Sequence, residues 1–374
     1  MRRWTIHQHD VTQPWPLTDG SVQCIVTSPP YWGLRDYGGC GCGTKRHDCG
    51  QGEGTGGNLN YRVSSDPDCP KCNGTGRVVG MDAQLGLEPT PGEYVAKMVG
   101  VFREARRVLR DDGTLWLNLG DSYMGYWGDK KALAEGRPSA ADTNGWTNGF
   151  NMNAKPKYAT LRDTGLKPKD LIGIPWRVAF ALQADGWWLR SDIIWAKPNP
   201  MPESVTDRST KAHEYVFLLS KSARYWYDAA AINERLQTPA HAPGNTTAKG
   251  VVMRNDIGTE RMAAVWGANG TRNRRTVWTI ATEPYAEAHF ATFPTALVEP
   301  CIKAGSKEGD TVLDPFAGSG TTLMVACRLN RDAVGLELSP AYVEMARRRI
   351  QGDAPLLNRE QQEPTDAAAG ETRS

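Results

Sequence analysis

Short apolar runs alternate with helical patterns along most of this 374-residue chain. Runs rich in Val, Ile, Leu and Trp predict strands, and apolar residues spaced three and four apart predict helices. The predicted strands are Trp4–Gln8, Gln23–Thr27, Thr114–Leu119, Trp188–Trp195, Tyr215–Leu219, Thr311–Leu313 and Ala333–Leu336. The predicted helices are Glu93–Leu109, Leu171–Gln183, Thr295–Lys303, Thr321–Leu329 and Pro340–Ile350. This alternation is typical of an α/β domain whose sheet is largely parallel.

Three irregular stretches interrupt the alternation. Residues 38–80 are rich in Gly and Cys, residues 125–169 in Gly, Asn, Lys and Trp, and residues 230–285 are polar and basic. Long irregular stretches inside a compact domain are usually functional or disordered. The last residues, 351–374, hold two basic and five acidic side chains and few large apolar ones, which predicts a disordered tail.

The sequence gives no sign of a membrane or exported protein. It contains no apolar run of about 18 residues, the length that a membrane span needs. Residues 1–7 lack the apolar core of a signal peptide. The formal net charge of +2 is too small to indicate a nucleic-acid partner by itself. We therefore expect a cytoplasmic protein without a membrane partner.

A glycine-containing loop, Asp314-Pro315-Phe316-Ala317-Gly318-Ser319-Gly320-Thr321-Thr322, joins a predicted strand to a predicted helix. Glycines let the backbone approach a ligand, and a helix N-terminus offers free N–H groups. Glu337 ends the next predicted strand, where a carboxylate can hold two ribose hydroxyls. A dinucleotide site would need a third glycine where Leu323 stands, and a P-loop would need a lysine after Gly320. Together, the loop and Glu337 favour an adenosine-bearing cofactor without a pyrophosphate, with a plain tight turn as the alternative.

The tetrapeptide Ser28-Pro29-Pro30-Tyr31 follows the second predicted strand. Two consecutive prolines fix φ and donate no hydrogen bonds, so they can hold carbonyl oxygens in a rigid array that points into a pocket. For these four residues alone, a proline turn that ends a strand is the alternative interpretation.

Both segments are similar to motifs of one enzyme family. Residues 27–32 resemble motif IV of the amino-group DNA methyltransferases, and Asp314–Gly320 resembles their motif I. Motif IV comes near the N-terminus and motif I near the C-terminus, an order that resembles the beta class of the family. Further segments match in one consistent order over the greater part of the chain: Asp10 with motif III, Leu115–Asp121 with motif VI, Trp195–Pro198 with motif VIII, His289–Pro294 with motif X and Gly335–Glu337 with motif II.

The resemblance implies a Rossmann-like S-adenosylmethionine-dependent methyltransferase fold with a mostly parallel, doubly wound sheet, a permuted motif order and a Cys-rich insert. The implied division is a catalytic part at 1–38 and 81–229, the insert at 39–80, a target-recognition region at 230–285, a cofactor-binding part at 286–350 and the tail at 351–374. The implied S-adenosylmethionine-binding residues are Asp10, Phe293, Pro294, Asp314, Phe316, Gly318, Gly320 and Glu337.

The resemblance assigns catalysis to Ser28, Pro29, Pro30 and Tyr31. An exocyclic amine is a poor nucleophile because its lone pair is delocalised into the ring. Acceptors from the Ser28 side chain and the Pro29 backbone would localise that lone pair, and Tyr31 would stack on a base that has left the helix. Since Ser at the first position of motif IV goes mostly with cytosine in this family, we expect transfer to N4 of cytosine. Transfer to N6 of adenine and a catalytically inactive DNA-binding protein are the alternatives.

Cys301 is a competing nucleophile, because Pro300-Cys301 resembles the dipeptide of methyltransferases that attack a ring carbon. It stands among apolar residues of a predicted helix, far from any matching motif. We expect a buried structural thiol.

Five of the eight cysteines lie in the insert, and in a cytosolic chain such a cluster indicates metal rather than disulfides. Structural zinc takes four nitrogen or sulfur ligands, and a glycine-rich segment without a core of its own would draw folding energy from the metal. A loop of reduced cysteines is the alternative. The predicted zinc ligands are Cys69 and Cys72, which resemble half of a zinc knuckle, then Cys42 and Cys49, with Cys40 and His47 as substitutes.

The third irregular stretch has a basic surplus, since residues 241–280 carry six basic and two acidic side chains. Lys and Arg contact phosphates, and other polar side chains contact base edges. A solvated loop with chance charge is the alternative. The resemblance implies double-stranded DNA as the partner and leaves a cognate restriction endonuclease open. The predicted DNA-binding residues are Lys249, Arg254, Arg272, Arg274 and Arg275.

Overall fold

The computed structural model describes residues 2–33, 84–124, 165–167, 169–235, 271–283, 293–353 and 358–360. The helices are α1 (Pro91–Val108), α2 (Ile174–Ala184), α3 (Thr295–Gly305), α4 (Thr321–Arg328) and α5 (Pro340–Asp353). The strands are β1 (Arg2–Gln8), β2 (Val22–Thr27), β3 (Leu109–Leu119), β4 (Trp188–Ala196), β5 (His213–Ser220), β6 (Glu234–Arg235), β7 (Thr271–Arg272), β8 (Val277–Thr279), β9 (Thr311–Asp314), β10 (Asp332–Glu337) and β11 (Asn358–Glu360).

Within the described ranges, one sheet holds nine strands in the order β11-β1-β10-β9-β2-β3-β5-β4-β8. All neighbours in it are parallel except β5, which runs antiparallel to β3 and β4. Since β2 lies beside β9, the loops that follow these two strands leave the same edge of the sheet side by side. Ligands of open α/β sheets bind at this carboxyl edge.

Helices cover both faces of the sheet, and each face has its own buried apolar cluster. Helices α1 and α2 bury Phe102 and Val178 against one face, whereas α3, α4 and α5 pack on the other, where Leu323 is buried. Side chains alternate across a strand, so Trp116 and Leu117 of β3 enter opposite clusters. Full burial of each such side chain contributes roughly 1.5–3 kcal/mol. The arrangement confirms the predicted doubly wound α/β fold.

Helices α1 and α2 begin at caps of different origin. In α1 the cap is local, because Thr90 Oγ1 accepts the N–H of Glu93 at 3.1 Å and Pro91 follows at the first helical position. In α2 the cap is tertiary, because the Asp121 carboxylate accepts the N–H groups of Gly173 at 3.0 Å and Ile174 at 3.1 Å. Helix α2 therefore begins at Ile174 rather than at the predicted Leu171.

Three expectations about boundaries are corrected. The strand predicted to begin at Thr114 begins at Leu109 instead, directly after α1 ends at Val108. Helix α5 continues to Asp353, and β11 pairs with β1, so the predicted disordered tail is wrong for these residues. Strand β8, which falls within the predicted target-recognition region, belongs to the main sheet beside β4.

The predicted insert lies outside the described residues, and so do all its proposed zinc ligands: Cys42, Cys49, Cys69, Cys72, Cys40 and His47. Among the residues that the structure describes, no group of three or more His, Cys, Asp or Glu side chains could hold a metal ion. No helix in the described ranges is long and apolar enough to cross a membrane.

Candidate active site

A pocket of about 730 Å³ opens at the carboxyl edge of the sheet. The tetrapeptide Ser28–Tyr31, which follows β2, lines one side, and residues 315–319, which follow β9, line another. Pockets of roughly 300–1,000 Å³ hold cofactor-sized ligands. The two segments that the sequence singled out therefore share one cavity.

Asp314 ties these two segments together beneath the pocket. Its Oδ1 accepts the Thr27 hydroxyl at 2.6 Å and the N–H of Phe316 at 3.0 Å, and its Oδ2 accepts the Thr322 hydroxyl at 2.8 Å. Burial raises the pKa of Asp314 to about 6, although these hydrogen bonds oppose the rise. Asp314 is buried and joins the two loops through these hydrogen bonds, and its predicted contact with the cofactor stays a prediction.

Glu337, at the end of β10, adds a carboxylate to the lining of the pocket. Its Oε2 accepts the N–H of Gly318 at 2.9 Å, and its Oε1 accepts the N–H of Ser339 at 2.8 Å. Burial raises the pKa of Glu337 to about 7, although both N–H groups oppose the rise. Phe316 and Gly318 line the same pocket.

Gly320 and Pro294 are not among the residues that line the pocket. Gly320 has φ 79° and caps α4, and a Cβ there would lie 2.9 Å from the Cβ of Ala346. Pro294 caps α3, and its carbonyl accepts the N–H of Leu297 at 3.0 Å. Gly320 therefore shapes the loop and Pro294 starts the helix, and their predicted cofactor contacts stay predictions.

Asp10 and Phe293, the other two predicted cofactor residues, do line the pocket. The Asp10 carboxylate follows β1 and accepts the N–H of Thr12 at 2.9 Å and the Thr12 hydroxyl at 2.8 Å. These bonds hold an acidic side chain at the same edge as Glu337.

The Tyr31 hydroxyl enters a network of polar side chains on the pocket wall. It donates to Glu214 Oε2 at 2.7 Å and lies 3.0 Å from Asn118 Oδ1. Asn118 Nδ2 donates to the same Glu214 oxygen at 3.2 Å, and Lys197 Nζ binds the other one. Ser28 Oγ lies 3.4 Å from the Tyr31 hydroxyl. The network fixes the tip of the ring beside the side chain that the sequence assigns to catalysis.

The backbone around the tetrapeptide is equally confined. The Pro30 carbonyl accepts the Tyr94 hydroxyl at 2.9 Å. Gly120 follows β3 directly beneath the Tyr31 ring, and a Cβ there would lie 2.4 Å from Tyr31 Cε2. A side chain at residue 120 would therefore displace the ring.

Known proteins are similar to this chain in sequence and in architecture. A family model described as DNA methylase, for the N6 and N4 enzymes, matches residues 22–348. The chain belongs to this family. Type II methyltransferase M.Cfr9I of Citrobacter freundii is 44% identical over 339 residues, which are 90% of this chain and 84% of that protein. Type II methyltransferase M.SmaI of Serratia marcescens is 42% identical over 330 residues, which are 87% of this chain and 83% of that protein.

A solved structure shares the fold of this DNA methylase. The PvuII DNA methyltransferase (cytosine-N4-specific) matches with a TM-score of 0.53 and 17% identity over 92% of this chain and 86% of that one.

The sequence assigned Glu214 no role, and it indicated Asn118 and Lys197 of the methylase only as members of the segments matched with motifs VI and VIII. Asn118 is buried within β3, and Glu214 stands at the start of the apolar β5. A polar side chain inside an otherwise apolar strand is costly to bury without a partner, and that cost is a signal of function. Because β5 is antiparallel, the register that pairs Leu119 with Tyr215 places Glu214 at the carboxyl edge of β3.

The described arginines of the basic stretch have partners within the protein. Arg272 and Arg275 donate to Glu234 Oε1 at 2.6 and 2.7 Å, and Arg274 lies 4.5 Å from the centre of the Trp278 ring. None of these three arginines lines the pocket. Lys249 and Arg254 lie outside the described residues. Contact of all five with DNA stays a prediction.

Cys301 of the methylase is a buried thiol in α3, as expected. It is 1% exposed, and its Sγ donates to the Leu297 carbonyl at 3.3 Å. Burial raises the pKa of the Cys301 thiol far above its ordinary value. A thiol that stays protonated is a poor nucleophile, so the structure argues against attack on a ring carbon.

Proposed function

We propose that this DNA methylase transfers a methyl group from S-adenosylmethionine to N4 of an extruded cytosine in double-stranded DNA. One observation carries the proposal. Ser28-Pro29-Pro30-Tyr31 and the wall of Gly318 and Glu337 line one pocket, although they come from opposite ends of the chain.

The wall around Glu337 fits an adenosine-bearing cofactor. The ionised carboxylate can accept ribose hydroxyls, and Phe316 and Phe293 offer apolar surface for an adenine ring. Asp10 adds a second carboxylate near that surface. The S-adenosylmethionine cofactor supplies an electrophilic methyl group when bound.

The tetrapeptide fits the amine that receives the methyl group. The Ser28 hydroxyl and the Pro29 carbonyl can accept the two hydrogens of the amine, which localises its lone pair and stabilises the positive charge that develops on nitrogen. The Ser28 hydroxyl can also donate to a ring acceptor of the base. Once methylated, the nitrogen releases one proton to water.

Tyr31 offers a flat ring on which the extruded base can stack. The bonds from its hydroxyl to Glu214 and Asn118 fix the tilt of that ring. A stacking surface held before the substrate arrives reduces the motion that must be lost at the moment of reaction.

A product assay tests the proposal. Purified protein is incubated with double-stranded DNA of mixed sequence and methyl-labelled cofactor, and the DNA is digested to nucleosides. We expect label in N4-methylcytosine. Label in N6-methyladenine would overturn the choice of base, and no label over a wide range of sequences would favour the inactive DNA-binding alternative.

Ser28→Ala, measured in the same assay, tests the role of the tetrapeptide in methyl transfer. The variant should lose most activity, because it removes one acceptor from the reacting amine. Ser21→Ala is the matched control, since Ser21 is exposed and its hydroxyl donates to the Thr18 carbonyl. Equal activity of the two variants would contradict the role of Ser28.

We also propose that the insert at 39–80 binds structural zinc, and that the chain modifies the target of a cognate Type II restriction endonuclease. The cysteine spacing of Cys69 and Cys72 supports the first statement. The names of the Type II relatives support the second.

A further inference from the structure

Met201 is the most exposed of the large apolar side chains that the structure describes. It is 81% exposed and lines the mouth of the pocket. Single exposed apolar side chains are common and need no explanation by themselves. The other exposed large apolar side chains of the described residues lie outside this pocket: Leu171, Phe180, Trp188, Tyr227 and Val277. Met201 therefore differs from these side chains because it lines the pocket.

The loop that carries Met201, residues 199–203, is fixed at both ends. Asn199 Nδ2 donates to Thr282 Oγ1 at 3.0 Å, and Asn199 Oδ1 accepts the N–H of Thr282 at 3.0 Å. At the other end, Glu203 Oε2 accepts Arg208 Nη1 at 2.6 Å. The loop therefore has a defined position at the pocket mouth.

Two prolines, Pro200 and Pro202, flank Met201 directly. Each fixes its own φ and restricts the residue before it. The methionine side chain is unbranched and flexible, which suits it to fill an irregular apolar gap. A stiff backbone thus presents an unbranched apolar side chain that is 81% exposed in the part of the chain that the structure describes.

We propose that Met201 enters the base stack of the DNA and fills the space that the target base leaves when it is extruded into the pocket. The inference rests on the proposed function in one respect, namely that a base is extruded for reaction. Extrusion removes the stacking of that base on both neighbours. Apolar side chains, methionine among them, replace part of it when they insert between base steps.

The position of Met201 agrees with this role. The pocket that receives the base is lined by Tyr31 and by Met201, so a base that enters it leaves its gap in the duplex near the pocket mouth. An apolar side chain at this place can replace part of the stacking that the neighbouring bases lose.

The test compares Met201→Ala, Met201→Leu and the matched control Phe180→Ala, which removes an apolar side chain that is 55% exposed outside the pocket. The duplex carries a sequence that the full-length protein selects from a random pool. Two quantities are measured, namely the single-turnover rate of methyl transfer and the fluorescence of 2-aminopurine at the target position. That fluorescence rises when the base leaves the stack, whether or not methyl transfer occurs.

We expect Met201→Ala to lower the single-turnover rate by at least about tenfold, equivalent to about 1.4 kcal/mol of barrier, and to reduce the 2-aminopurine signal. Met201→Leu and Phe180→Ala should behave like the wild type. When the target base faces an abasic site, extrusion no longer limits the reaction, so Met201→Ala should regain most of its rate.

An unchanged 2-aminopurine signal in Met201→Ala would overturn the inference, as would an equal loss of rate on both duplexes. Failure of the proposed function has a different signature. Methylation of adenine by the wild type would change the base and leave the comparison of variants valid. Absence of methyl transfer would refute the proposed function, and the fluorescence comparison would still decide the role of Met201.

Discussion

Gly120→Ala should displace the Tyr31 ring and so test whether its position matters for transfer. The added Cβ would lie 2.4 Å from Tyr31 Cε2 and 2.9 Å from Cδ2. Carbon atoms in contact prefer about 3.5–4.0 Å, so the ring must move by about 1 Å. Such a movement also strains the 2.7 Å bond from the Tyr31 hydroxyl to Glu214. Misplacement by about 1 Å can cost about a hundredfold in rate.

The assay is single-turnover methyl transfer to duplex DNA at saturating cofactor, with cofactor affinity and Tm measured in parallel. We expect Gly120→Ala to lower the rate by about a hundredfold, with affinity and Tm close to the wild type. The matched control is Gly100→Ala in α1, where a Cβ would meet nothing within 4 Å.

A second background separates displacement of the ring from other effects. Tyr31→Ala removes the ring, so adding Gly120→Ala to it should cause little further loss, as expected when two residues act through one contact. If Gly120→Ala costs as much in the Tyr31→Ala background as in the wild type, displacement of the ring is not its mode of action. Wild-type rates in the single variant would refute the reasoning altogether.

Three further predictions follow from the pKa values and the insert. Burial raises the pKa of Asp314 from 3.8 to about 6. The contribution of this group to the free energy of unfolding is therefore fully present below pH 3.8, and about 3 kcal/mol of it is lost as pH rises through 6. In urea unfolding, Asp314→Asn should gain that amount relative to the wild type as pH rises, and a difference that does not vary with pH would contradict the prediction. Burial also raises the pKa of Glu337 to about 7. The affinity for S-adenosylmethionine, measured by calorimetry, should therefore rise with pH up to about 7 and then level off, whereas Glu337→Gln should show no dependence on pH. A wild-type affinity that does not vary with pH would exclude a role of the carboxylate in binding the cofactor. Elemental analysis should find zinc in the purified wild-type protein and in Cys301→Ser, but not in Cys69→Ser. A wild-type protein without zinc would refute the proposed zinc site.

Elements whose pattern is local were predictable from the sequence. Apolar runs located β2 and β9, and the loops after them could be paired because parallel strands bring their carboxyl ends to one edge. The start of α2 was misplaced because Asp121, from a distant loop, supplies its cap. Strand β11 was missed because a short polar segment becomes a strand only through pairing with β1.

The candidate site shows the same division between local and distant causes. Position in the loop indicated Asp314, but whether its side chain faces the pocket or the interior depends on Thr27, at the other end of the chain. Glu214 reaches Tyr31 only because β5 is antiparallel and pairs with β3 in one particular register. The local pattern of residues predicts neither the direction of a strand nor its register.

The place of β1 in the sheet has a consequence for synthesis of the chain. This first strand lies between β10 and β11, and its buried Trp4 and Ile6 pack in the cluster that α3, α4 and α5 complete. A ribosome adds roughly 5–20 residues per second, so β1 waits on the order of 15–60 s for its partners to emerge. During that interval the growing polypeptide exposes Trp4 and Ile6 on an unpaired strand and lacks the wall that holds Glu337. A polypeptide that stops before β10 lacks both the strand that pairs with β1 and the Glu337 carboxylate at the pocket.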